Sequence, residues 1–253
     1  MVYTMAATIS LKPMHKDPLM LRFLPPLALI LAAGCASSPS HEHPHAHSAH
    51  TEGAHTPGHH HRFTDPQKYV AQWNTPARDA WQKPQEIVAA LGLGPGQTVA
   101  DVGAGTGYLL PHLSQAVGPQ GKVWAVDVEE AMVSYLKQAA QKEQWGNVQV
   151  KLAAANSAGL EAASLDAAVI LNTWHHIEDR AGYLDTLAPM MRPGARLLVV
   201  DFEPGAPGEG PPPKMRLSAQ TVIEEITQAG WRAELVEDTM PRHYVVRAWA
   251  PAL

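Results

Sequence analysis

A chain of 253 residues that is 45% hydrophobic and 17% charged has enough apolar material for one good-sized core and is too apolar to stay disordered. Nineteen Lys and Arg against 24 Asp and Glu give a formal charge of −5, which argues against a broad basic footprint for nucleic acid. A single cysteine excludes an intramolecular disulfide and any multi-cysteine zinc site.

The N-terminus absorbs the compositional oddities. Cys35 directly follows an apolar run, Phe23 to Gly34, preceded by Lys12, Lys16 and Arg22. This order of basic, apolar and small residues is that of an export signal, expected over 1–34. The run is shorter than the roughly 20 apolar residues of a membrane span and holds two prolines, so spanning is not expected. The small residues leading to Gly34-Cys35 resemble the lipobox of bacterial lipoproteins, although Ala32 stands where that pattern prefers leucine. The resemblance implies cleavage before Cys35 and a lipid on its sulfur. With Ala36 and Ser37 following rather than aspartate, it points to the outer membrane, facing the periplasm; if the signal is not used, the chain stays in the cytoplasm. Met14 and Met20 are alternative starts.

Residues 35–61 hold nine of the 14 histidines and no large apolar side chain. Nothing there offsets the entropy of ordering a backbone, so a tether without fixed structure is expected. Imidazoles at this density, His41 to His61, suit weak Zn, Cu or Ni binding without a defined geometry; a solvated, pH-responsive linker is the alternative.

From residue 62 to 253 the composition is that of one globular domain. A proline-punctuated helical stretch covers 66–91. Short apolar runs at 98–102, 122–127, 148–153, 166–171 and 195–201 alternate with helical patterns near 107–117, 129–143 and 180–190. Buried strands alternating with helices specify an α/β domain with a doubly wound, mostly parallel sheet covered on both faces. A helix at 218–229 and strands at 232–237 and 243–249 close the chain, the last two near enough in sequence to pair antiparallel. Glu203–Pro213 is a Pro/Gly surface loop.

Asp101-Val-Gly103-Ala104-Gly105-Thr-Gly107 falls where the first strand meets a helix, the ligand-binding edge of open α/β sheets. A dinucleotide fingerprint would need glycine at 108, where Tyr108 stands, so a dinucleotide oxidoreductase is disfavoured. An acid two residues before the first glycine suits an ammonium group rather than a pyrophosphate. Asp127 ends the second strand, where a carboxylate can take both hydroxyls of a ribose.

Together these residues resemble the class I S-adenosylmethionine-dependent methyltransferases. Leu165–Asn172 and Met191–Asp201 are similar to that family's fourth and fifth strand motifs, and the resemblance covers nearly all of the domain. It implies a Rossmann-like sheet, mostly parallel with an antiparallel last strand. It also implies S-adenosylmethionine held by Asp101, Gly103, Ala104, Gly105, Gly107, Asp127, Val128 and Asn172. Many members place an acid after the third strand for adenine; here Asn156 stands in that segment, or backbone and packing hold the base.

After the fourth strand the sequence reads Asn172-Thr-Trp-His175-His176, unlike the Asn/Asp-Pro-Pro-aromatic motif of many amino-group methyltransferases. This resembles members acting on small molecules such as quinones, lipids or arsenite, the last disfavoured because Cys35 is the only thiol. His175 and His176 are candidates for a general base, the alternative being packing under the cofactor and capping of the next helix. Arg78 and Trp81 are expected near the pocket, or else as a surface ion pair and a core ring. Lys214, Arg216 and Arg242 are expected to bring positive charge to the same edge. No metal site is expected in the domain.

The two halves conflict, because S-adenosylmethionine is made in the cytosol and an exported chain faces a compartment where it is expected to be scarce. A membrane-anchored, non-catalytic ligand- or metal-binding protein on the same fold therefore stays open.

Overall fold

The computed structural model describes residues 63–208 and 210–252; the expected export signal over 1–34, Cys35 and the histidine tract lie outside the described residues. Helices α1 (Pro66–Trp73), α2 (Pro76–Gln82) and α3 (Pro84–Leu91) come first, each opening on a proline. Proline suits the first turn because its missing N–H has no intrahelical partner there. Lys83, left-handed at φ 47°, turns the chain between α2 and α3.

The remaining elements are β1 (Thr98–Val102), α4 (Leu110–Val117), β2 (Lys122–Asp127), α5 (Glu130–Lys142), β3 (Val148–Leu152), β4 (Leu165–Leu171), α6 (Arg180–Leu187), β5 (Met191–Phe202), α7 (Ala219–Gln228), β6 (Arg232–Val236) and β7 (His243–Trp249). They form one seven-stranded sheet in the order β3-β2-β1-β4-β5-β7-β6. The first five strands in that order are parallel, while β7 runs antiparallel to β5 and β6. The expected fold class is thus observed.

Alternation along the strands fills two cores. Ala100, Ile170 and Leu197 face α6 and α7 with Trp174, Leu184 and Ile226. Val99, Val169 and Leu198 face α3, α4 and α5 with Ile87, Leu113 and Leu136. Strands covered on both faces carry no polar side, hence the continuous apolar runs.

Two boundaries differ from the sequence expectation. Helix α4 begins at Leu110 rather than near 107, because residues 103–109 form a turn in which the Gly107 N–H donates to the Ala104 carbonyl at 2.8 Å. Strand β5 begins at Met191 rather than 195: Met191 pairs with Leu165, and an irregularity then resets the register to Ala167 opposite Arg196. Among the described residues no helix is long and apolar enough to cross a membrane.

Candidate functional site

The glycine loop is held from both sides. Gly103, at φ 74°, approaches the segment after β4 so closely that a Cβ there would stand 2.4 Å from Thr173 Oγ1 and Cγ2. A Cβ at Gly105, φ 54°, would stand 3.6 Å from the Trp73 ring. Asn74, just past α1, is fastened to the loop: its Nδ2 donates to the Thr106 carbonyl at 2.8 Å, and Thr106 Oγ1 donates to its Oδ1 at 2.5 Å.

The two predicted acids both reach this loop. Asp127 accepts the Gly105 N–H on Oδ2 at 2.8 Å and the Glu129 N–H on Oδ1 at 2.9 Å. It therefore also shapes the loop, a role sequence spacing did not suggest. Burial pushes its carboxyl above the ordinary range, against the lowering by these backbone donors. Asp101 is buried at 2% exposure. Desolvation, with a smaller push from Asp127, raises it to about 7, Arg78 acting in the opposite direction. Val128, just past β2, and Leu152, the last residue of the neighbouring β3, are apolar side chains 53% and 47% exposed at the carboxyl ends of their strands. Asn156 is exposed in the turn beyond β3, its carbonyl accepting from Thr186 Oγ1 at 2.9 Å.

Helix α2 supplies what lies over the edge. Arg78 is buried, which overturns its reading as a surface ion pair. Its guanidinium stacks 3.9 Å from the Tyr108 ring centroid and donates to the Trp73 carbonyl and Gln82 Oε1. Burial lowers its pKa to about 10. Gln82 Oε1 also accepts from Asn172 Nδ2 at 3.1 Å, tying α2 to the end of β4. Asn172 sits at φ 53°, and its buried Oδ1 has no partner among the described residues.

His175 and His176 share a short 3-10 turn, Trp174–His176, with ring centroids 4.2 Å apart. Their environments differ. His175 Nδ1 lies 2.9 Å from both oxygens of Asp201, whose Oδ2 also accepts the His175 N–H at 3.2 Å. The His176 ring meets Phe63, 5.8 Å away at 83°, beside the Phe63–Tyr69–Trp73 aromatic cluster. Neither histidine provides the side-chain cap of α6; Asp179 does, accepting the Gly182 N–H.

Trp81 is half-buried, not a core ring; it stacks on His243 at 5.6 Å and 10° with Arg242 4.7 Å above it. Arg216 lies 5.4 Å from the Phe202 ring. Lys214 stands in the short 3-10 turn Pro213–Met215. Among the described residues no group of three or more His, Cys, Asp or Glu is placed to hold a metal ion. A groove of about 570 Å³ is lined by Asn74, Asp79, Tyr108, Tyr135 and Trp145 and reaches the glycine loop at Thr106 and Gly107.

Residues 99–194 match a family model described as a methyltransferase domain. A solved S-adenosylmethionine-dependent methyltransferase from Aquifex aeolicus is 32% identical; the match covers 73% of this chain and 97% of that one, with a TM-score of 0.68. The chain belongs to the S-adenosylmethionine-dependent methyltransferases. Among curated proteins, the ubiquinone/menaquinone biosynthesis C-methyltransferase UbiE of Francisella philomiragia is 31% identical over 123 residues, 48% of each chain. The O-methyltransferase resE of Aspergillus sclerotiorum is 29% identical over 143 residues, 53% of each chain. This chain spans about half the length, or less, of the curated relatives it matches.

The cofactor of this methyltransferase family fits the residues present. An ammonium group would neutralise Asp101 and its buried charge, a hydroxyl or ammonium donor would satisfy Asn172 Oδ1, and a nucleobase would cover Val128 and Leu152. Each Asp127 oxygen keeps a second lone pair for a ribose hydroxyl beyond its backbone donor.

Proposed function

We propose that this methyltransferase moves a methyl group from S-adenosylmethionine to a small-molecule acceptor, with His175 as the general base and Asp201 as its positioning carboxylate. The cofactor supplies a methyl group already activated on a sulfonium, so the protein's own work is to place the acceptor and take its proton. The Asp201–His175 contact carries the assignment. A carboxylate on Nδ1 fixes ring orientation and tautomer, leaving Nε2 to accept the proton from an acceptor O–H or N–H. His176, packed against Phe63, is better suited to closing the site.

A small acceptor is supported by the net charge of −5 and by the absence of a Pro-Pro-aromatic turn after Asn172. The names of the matched C- and O-methyltransferases point the same way. Asp101, Gly103, Ala104, Gly105, Gly107, Asp127, Val128 and Asn172 are the proposed cofactor contacts, with Asn156 at the rim. The Phe23–Cys35 run supports anchoring of the mature chain in the cell envelope. Fatty-acid labelling that disappears in Cys35→Ser tests that location.

The catalytic assignment is tested on the full chain by following S-adenosylhomocysteine release with a panel of quinols and phenols. His175→Ala is expected to lower turnover by about 10²-fold or more, within the range a general base contributes. S-adenosylhomocysteine binding should persist in that variant, and His176→Ala should lose less. Undiminished turnover in His175→Ala would contradict the assignment.

A further inference from the structure

The starting point is His243, the first residue of β7, lying opposite Phe202 across the antiparallel pair with β5. It is 4% exposed, and neither ring nitrogen has a partner among the described residues. A polar atom buried without a hydrogen bond costs about 1–3 kcal/mol. The ring is held on both sides, 4.2 Å from Phe202 and 5.6 Å from Trp81 by centroid, so its position is set by packing. Burial lowers its pKa to about 3, with Arg78, Arg242 and Arg216 reinforcing the shift and Asp201 opposing it. The imidazole is therefore neutral at working pH, with one nitrogen a donor and the other an acceptor.

The surrounding cations are not equivalent. Arg216 is committed, donating from Nε to the Pro211 carbonyl and from Nη1 to the Ala206 carbonyl, which pins the Glu203–Pro213 loop. Arg78 is committed to Trp73 and Gln82. The half-buried Arg242 guanidinium stacks on Trp81 and forms no hydrogen bond or ion pair among the described residues. The pinned loop brings Gly208 against it; a Cβ there would stand 3.0 Å from Arg242 Cζ. Among the described residues, an imidazole whose buried nitrogens lack partners and a guanidinium without a polar partner thus lie against the same Trp81 ring. Aromatic rings wall the place, and the Asp201 carboxylate that holds His175 is near enough to act on the His243 ring.

Resting on the methyl-transfer reading above, we propose that Arg242 and His243 seat an acidic oxygen group of the acceptor. The acceptor would then be an apolar molecule bearing a carboxylate or a phosphate. Guanidinium N–H donors match either group, the imidazole N–H adds a third donor, and Trp81 and Phe202 suit an apolar body.

The test is calorimetric titration of the full chain, with and without saturating S-adenosylhomocysteine. The probes are 4-hydroxybenzoate, phenyl phosphate and the neutral methyl 4-hydroxybenzoate. At least one anion is expected to bind at least tenfold more tightly than the ester, and which anion does so identifies the group. Arg242→Gln and His243→Phe should each remove most of that preference while S-adenosylhomocysteine affinity, the check on folding, stays within twofold. Anions binding no tighter than the ester, or equally well to Arg242→Gln, would overturn the subsite even where S-adenosylhomocysteine binds normally. Absence of S-adenosylhomocysteine binding would instead contradict the methyl-transfer reading, while an anion preference lost in Arg242→Gln would still support the subsite.

Discussion

Nδ1 of His175 stands 2.9 Å from both oxygens of Asp201, while the backbone N–H of the same histidine donates to Asp201 Oδ2 at 3.2 Å. Two contacts to one carboxylate fix both the backbone and the ring of His175 at the carboxyl edge of the sheet. Asp201→Asn keeps the size and one acceptor but loses the charge and presents an amide N–H to the ring. Turnover is expected to fall by about 10²-fold, in line with loss of an oriented base, with little change in S-adenosylhomocysteine affinity. Kinetics and calorimetry on the same preparation check this; an equal loss in binding would assign Asp201 a structural role instead.

Gly103 and Thr173 make the second prediction. An alanine at 103 must adopt φ 74° and place its Cβ 2.4 Å from two Thr173 side-chain atoms. The left-handed conformation alone costs about 1–2 kcal/mol, and the overlap adds to it. Gly103→Ala should therefore lower the melting temperature. Thr173→Ala in the same chain should recover part of the loss, since the two positions share one contact. Strictly additive effects would show that Thr173 is not the obstacle.

Asp101 gives a pH dependence whose sign is fixed. Burial raises its native pKa to about 7 from the usual 3.8, so the native state holds the proton more tightly than the unfolded chain. The stability it contributes is complete below about pH 3.8 and is lost as the pH climbs to 7. The ligand-free protein is expected to melt at a higher temperature at pH 5 than at pH 7.5, with a smaller difference in Asp101→Asn. An ammonium-bearing ligand favours the ionised carboxylate, so S-adenosylhomocysteine affinity should rise over the same window. Affinity falling from pH 5 to 7.5 would remove Asp101 from the ammonium site.

Much of this architecture is legible in the sequence for a physical reason. Val123–Val126, Ala167–Leu171 and Leu197–Val200 read as continuous apolar runs because both faces of the sheet are covered, and that pattern needs no tertiary knowledge. The spacing of Asp101, three glycines and Asp127 is equally local. Partnerships across the chain are not local. Asp201 lies 26 residues from His175, and Gln82 lies 90 residues from Asn172. The one available sign for Asp201 was an acid ending an apolar strand at the edge where ligands bind, and for His243 a histidine at the equivalent end of β7. For Arg78 the surface alternative fails for the same reason: its guanidinium is covered by Tyr108, a partner from a distant part of the chain that helical spacing does not reveal.

The most direct test is a calorimetric titration of S-adenosylmethionine into the full chain, with Asp127→Asn in parallel. Asp127 is expected to accept the ribose hydroxyls while holding the Gly105 N–H. A hydrogen bond to a charged group contributes about 1.5–3 kcal/mol, so the variant should bind at least tenfold more weakly. Saturable one-to-one binding, weakened to that degree in Asp127→Asn, is the result the account predicts. No saturable binding, or identical binding by the two proteins, would contradict it.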